Sequence, residues 1–177
     1  MATKNANDGL SMLATVENAT NDVTDMLQRI RELAVQAAND TNSLEDRTFL
    51  QTEVNSLLQE INRVATHTIY NNKVVLDGNL SGDFQVGTEK GQTISFAITS
   101  IDTDVLGLTD KAADPTFATG TYDINVSVPT ALSTGTAGAI SILTATGATN
   151  SLEKISAALE KVAGNRAEYG ALQNRLE

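Results

Sequence analysis

The sequence predicts an α+β chain: a long antiparallel helical rod of three helices with a β-hairpin, plus an inserted small β-rich distal domain. Three observations predict it. Leu13, Val16, Thr20, Val23, Leu27, Ile30, Ala34 and Ala37 recur at spacings of 3,4,3,4,3,4,3, a narrow apolar seam of helical period that seeks partner helices. The period then changes to two, with Phe84, Val86, Ile94, Phe96 and Ile98 alternating with polar neighbours. Helical spacing returns near the end, where Leu152, Ile155, Leu159, Val162 and Tyr169 resume it. The expected division is residues 1–100 for the N-terminal part of the rod with its hairpin, 101–148 for a variable β-rich outer domain, and 149–177 for the C-terminal helix.

The first helix is predicted over about residues 5–38 and would reach roughly 50 Å at 1.5 Å per residue. Neither Pro nor Gly interrupts the chain between Gly9 and Gly78, so nothing forces an early stop. The polar run Asn39-Asp40-Thr41-Asn42 ends it, and Ser43 with Asp46 three residues later supplies a capping-box pattern for a second helix. That helix carries Leu50, Val54, Leu57, Ile61 and Val64 at spacings of 4,3,4,3, and the short turn makes the two helices antiparallel neighbours. Lys73 to Leu76 followed by Asp77-Gly78-Asn79 reads as strand and turn. The alternating residues on either side of Glu89-Lys90-Gly91 read as the hairpin. Tyr122, Ile124, Val126 and Val128 alternate again in the outer domain, and an apolar knot follows at Ile140, Ile142 and Leu143. Asn150, answered by Glu153, is the expected cap of the last helix.

Composition narrows the function classes. Hydrophobic residues make up 41% of the 177, aromatics 4%, and there is no Trp, so the core must be built from Leu, Ile, Val and Ala. A net charge of −10 argues against a nucleic-acid or anionic-membrane partner. No Cys means no disulfide and no thiol nucleophile, which fits a reducing compartment or export as an unfolded chain. The polar opening Met1 to Asp8 has no apolar core of a secretory signal, and no stretch is apolar enough to span a membrane.

Candidate chemistry is sparse, and no enzyme, cofactor or metal is expected. His67 is the lone histidine, which rules out a His-based triad or a multi-His metal site, and it reads as structural near a helix end. Asp102 with Asp104, and Asp77 with Asp83, lack the Gly and closing Glu of a calcium loop and read as solvated turns. Asn18, Asn39, Asn79 and Asn125 each head an Asn-x-Ser/Thr triplet, a pattern that an Asn- and Thr-rich chain produces by chance. Arg29, Leu33 and Gln36 fall on one stripe of the first helix beside the seam, where Leu33 either widens the core stripe or anchors a surface contact.

Several of these residues carry a family resemblance. Asn5 to Gly9, Leu27 to Gln36 with Ala38-Asn39, Asn62-Arg63-Val64 and Tyr70 to Leu76 resemble the N-terminal helical part of bacterial flagellin. Gly170-Ala-Leu-Gln-Asn-Arg-Leu176 is similar to its C-terminal signature, with Leu in place of the usual terminal aromatic. The resemblance implies a structural subunit of the exported, extracellular flagellar filament, acting in motility, with other flagellin subunits as partners. It also implies that the family's terminal polymerisation segments are absent, so this chain alone is expected to be monomeric. In flagellins the residues matching Arg29, Leu33 and Glu53 are contacted by the flagellin-sensing Toll-like receptor ectodomain, so Arg29, Leu33, Gln36 and Glu53 are the expected receptor or subunit interface. Alternatives are a hook–filament junction protein of the same superfamily, and a surface glycan-binding module using Phe117 and Tyr122 of the outer domain.

Overall fold

The computed structural model describes residues 2–87, 89–109 and 140–176. Three helices account for most of them: α1 (Ala2–Ala37), α2 (Leu44–His67) and α3 (Ala145–Leu176). Among the described residues between α2 and α3 lie four short strands: β1 (Ile69–Tyr70), β2 (Lys73–Val74), β3 (Ser81–Gln85) and β4 (Thr93–Ala97). They form two antiparallel pairs, β1 with β2 and β3 with β4. The expected outer-domain strands at Tyr122 to Val128 lie outside the described residues.

The described chain divides into two compact units. The first comprises Met1–Asp25, Ile61–Asp102 and Glu160–Glu177, and the second Met26–Glu60 and Thr103–Leu159. In the first, Glu17 of α1 accepts a hydrogen bond from Gln173 of α3 at 3.2 Å, and a Cβ on Gly9 would lie 3.2 Å from Leu176. As the α1 number rises the α3 number falls, so the two helices run antiparallel here. In the second, Arg29 of α1 meets Glu53 of α2, while Arg47 of α2 caps the Ala37 carbonyl at 2.9 Å, the same antiparallel signature.

All eight seam residues of α1 are fully buried, Thr20 included. A hydroxyl survives in that seam because Thr20 Oγ1 donates back to the Val16 carbonyl at 2.6 Å, so no polar group is left unpaired. In α2 the buried positions are Val54, Leu58, Ile61, Val64 and Ala65; Leu57, expected in the seam, is only half-buried and Leu58 takes its place. In α3 the buried line runs through Ala148, Ser151, Ile155, Ala158, Val162, Tyr169 and Leu176. The bulkier Leu152 and Leu159 flank it, half-buried. Small residues at the contact let neighbouring backbone approach more closely than Leu would.

The capping box holds. Ser43 Oγ accepts the Asp46 N–H at 3.1 Å, and the Asp46 carboxylate accepts the Ser43 N–H at 3.1 Å and its hydroxyl at 2.7 Å. These bonds from Ser43 hold the Asp46 carboxyl below the usual carboxylate range. Its contribution is therefore present above the unfolded value and fades as pH falls through the folded one. Ser43→Ala is expected to lower stability by about 1 kcal/mol in urea unfolding.

Two local features differ from expectation. The last helix starts at Ala145, so Asn150 and Glu153 sit inside it rather than capping it; Thr144 is the cap, its Oγ1 accepting the Gly147 N–H at 3.0 Å. Lys73 and Val74 belong to a tight hairpin with Ile69 and Tyr70, turning at Asn71 and Asn72, whose φ values of 46° and 65° are both left-handed. That is the geometry of a two-residue primed turn, which Asn tolerates better than other non-glycine residues. The expected turn at Asp77 is also present, with its carboxylate accepting the Asn79 N–H at 3.0 Å and Gly78 at φ 79°. In the second hairpin Phe84 pairs with Ile94, and Phe84 stacks on Phe96 with centroids 4.3 Å apart.

Candidate functional site

The α1–α2 pair of the second unit carries the polar cluster on which the site residues fall. Arg29 donates from Nε to Glu53 Oε1 at 2.8 Å and from Nη1 to Glu32 Oε2 at 3.1 Å. The side chains of Arg29, Glu32 and Glu53 are 50%, 68% and 43% exposed, so the network faces solvent. The hydrogen bond to Glu53, followed by that to Glu32, raises the Arg29 pKa, and the guanidinium stays charged throughout the accessible pH range. One cation between two carboxylates leaves the patch with a net charge of −1. Exposed ion pairs of this kind contribute little to folding. Arg29→Ala is therefore expected to leave the thermal midpoint within about 2 °C of the parent, read by circular dichroism.

Gln36 is exposed, one turn beyond this cluster, and shares with Gln28, Arg31, Glu32 and Val35 a shallow depression on the outer face of α1. Val35 is an exposed apolar side chain in it, at 56%. Leu33 differs from the expectation of a surface anchor: only 1% of it is exposed, and it widens the buried stripe beside Ile30, Ala34 and Ala37. The reason is helical geometry, since a residue three after Ile30 and four before Ala37 lies on the flank of the buried stripe. The structure thus brings Arg29 and Glu53 together, leaves Gln36 exposed nearby, and assigns Leu33 to the core beneath. Glu32 was missed in the sequence, although its spacing of three from Arg29 is the signal of a helical ion pair.

His67 is the exposed last residue of α2, its Nδ1 2.8 Å from the Thr66 hydroxyl. Among the described residues no three His, Cys, Asp or Glu side chains converge as a metal site, and no helix is long and apolar enough to cross a membrane.

Residues 1–81 match the family model for the bacterial flagellin N-terminal helical region. Phase 2 flagellin of Salmonella typhimurium is 36% identical over 172 residues, 95% of this chain and 34% of the relative. The chain belongs to the flagellin family. Flagellin 1 of Proteus mirabilis is 47% identical over 121 residues, 68% of this chain and 32% of that one. The chain therefore spans about a third of the length of these flagellins. Among solved structures, Bacillus cereus flagellin matches with a TM-score of 0.71 at 25% identity, covering 98% of this chain and 85% of that one. FliC from Burkholderia pseudomallei matches with the same TM-score at 26% identity, covering 94% and 99%. The three helices and small antiparallel strand pairs are those of an α+β flagellin segment.

Proposed function

We propose that this chain is the helical segment of a subunit of the extracellular flagellar filament, exported and used for motility, with other flagellin subunits as its partners. Membership in the flagellin family is the observation that carries this reading. The geometry agrees with a mechanical role: the α1 seam is consumed inside each unit, and the exposed faces of α1 and α2 carry polar and ion-paired side chains together with the apolar Val35, Leu44 and Phe49. Such faces pack side by side through complementary contacts without exposing a core. The division at residues 100 and 148, with an inserted outer domain between, belongs to the same proposal. The test is a chimaera in which residues 2–176 replace the matching region of the Salmonella phase 2 flagellin, expressed in a strain lacking its own flagellin. Filaments and swimming are expected. A chimaera that is exported but forms no filament would falsify the reading.

A second reading rests on the cluster itself. We infer that Arg29, Glu53 and Gln36, supported from below by Leu33, form a surface recognised by the flagellin-sensing Toll-like receptor ectodomain. An ion-paired Arg with an exposed Gln one turn beyond its cluster gives the charged centre of an interface of small extent. Surface-plasmon binding of the purified chain to that ectodomain is expected, with Arg29→Ala weakening it at least tenfold while helicity is unchanged. Equal binding by parent and Arg29→Ala would remove the arginine from the interface.

A further inference from the structure

Within the second unit, the described residues on either side of 110–139, an outgoing arm at 103–109 and a returning arm at 140–142, are tied together. On the outgoing side Thr103 is fully buried, its carbonyl accepts the Leu108 N–H at 2.8 Å, and its hydroxyl lies 2.9 Å from that of Thr109. On the returning side Ile140 and Ile142 are buried, and the Ile140 N–H donates to the Leu108 carbonyl at 3.0 Å. Apolar burial of this kind does not fix direction or register. Beyond the Ile140–Leu108 bond, the directional bonds on the returning arm come from helix side chains.

Gln51 of α2 accepts the Ile142 N–H at 2.7 Å through Oε1, across 91 residues of sequence. Its own amide is oriented from the other end, because Nε2 donates to Asn55 Oδ1 at 2.9 Å one turn along the helix. Ser151 of α3 is 2% exposed and uses one hydroxyl twice on the same residue: it accepts the Ser141 N–H at 3.2 Å and donates to the Ser141 carbonyl at 3.1 Å. A Cβ on Gly147 would lie 2.7 Å from the Ser141 carbonyl oxygen, so only glycine lets this arm pack on the first turn of α3. Three backbone polar groups on two successive residues, both of those of Ser141 and the N–H of Ile142, are thus read by side chains that belong to neither arm.

We propose that Gln51, with Ser151, is a clamp that fixes the returning arm at Ser141 and Ile142 on the helices of the second unit. Gln51 acts as a positioning residue: it holds that arm in register on α2. Hydrogen exchange of the full chain, resolved by residue, tests this directly. In Gln51→Leu the amides of Ile140 and Ile142 should exchange at least tenfold faster, while those of Leu27 and Ile30 keep the parent rate. Gln51→Glu, whose carboxylate still accepts the Ile142 N–H, should retain the protection. Unchanged exchange at Ile142 in Gln51→Leu would show that burial of the isoleucines suffices and would overturn the proposal. So would equal acceleration at Leu27 and Ile30, or loss of protection in Gln51→Glu.

Discussion

Leu33→Ala is expected to lower the unfolding free energy by about 2–5 kcal/mol, because it empties a buried site in a stripe whose neighbours are themselves fully buried. The spread reflects how far α1 and its neighbours can close the space left behind. Leu33→Met, which conserves volume, should cost less than about 1.5 kcal/mol. Urea unfolding of the three chains measures this, and a Leu33→Ala loss below about 0.5 kcal/mol would be the signature of a surface residue. The result bears on function as well as stability. Receptor binding lost in Leu33→Ala is to be compared with that of Leu33→Met, which keeps the support under Arg29 and changes only the side chain. If Met restores binding, Leu33 acts by holding the cluster up from below.

Tyr169 should give the second large effect, in two opposite directions. Its ring is 1% exposed in the first unit, and Tyr169→Ala is expected to cost about 3–5 kcal/mol through the cavity it leaves. Its hydroxyl is different. It is buried with only the Thr99 backbone nearby, outside good hydrogen-bond geometry, and burial pushes the phenol pKa up by more than that backbone pulls it down. Tyr169→Phe removes an unpaired polar group and should raise stability by about 1 kcal/mol. The pH dependence has a definite sign. A raised folded pKa means that the stability held by the protonated phenol is complete below the unfolded value of 10.0 and is lost as pH rises through the folded one. Alkaline unfolding of the parent should therefore begin above about pH 10, and Tyr169→Phe should shift it upward. An unshifted alkaline midpoint would assign that transition to other groups.

The seam of α1 was fully legible in the sequence because its 3,4 spacing is sustained over eight residues, all of them buried. The same rule slipped by one position in α2, where Leu57 and Leu58 are adjacent and hydrophobicity alone cannot choose between them. In α3 it chose by bulk and picked Leu152 and Leu159, while the buried face runs through Ser151 and Ala158. Small residues carry little hydrophobic signal, so a face selected for close approach is nearly silent in a sequence. The start of α3 was hidden similarly. Gly147 and its Thr neighbours are poor helix formers, yet Ala148 is fully buried, and tertiary packing overrides that propensity. Of the site, the Arg29–Glu53 pairing was reachable from the antiparallel hairpin reading. Periodicity alone left Leu33 open between stripe and surface, and its 1% exposure places it in the stripe.

Hydrogen bonds differ in how far along the chain they reach, which sets the order in which they can form. The α1–α2 pair is held by short-range bonds, whereas the Gln51–Ile142 bond of the same unit spans 91 residues. In the second unit Arg29 finds Glu53 only 24 residues away, and Arg47 finds Ala37 only 10 away. In the first, Asn5 bonds the Gln85 carbonyl across 80 residues, and Gln173 reaches Glu17 across 156. Closing a longer loop forfeits more chain entropy before any contact is gained, and folding slows accordingly. A chain made N-terminus first can close its local α1–α2 pair almost at once. The bonds that reach α3, and the one from Ile142 to Gln51, must wait for later residues.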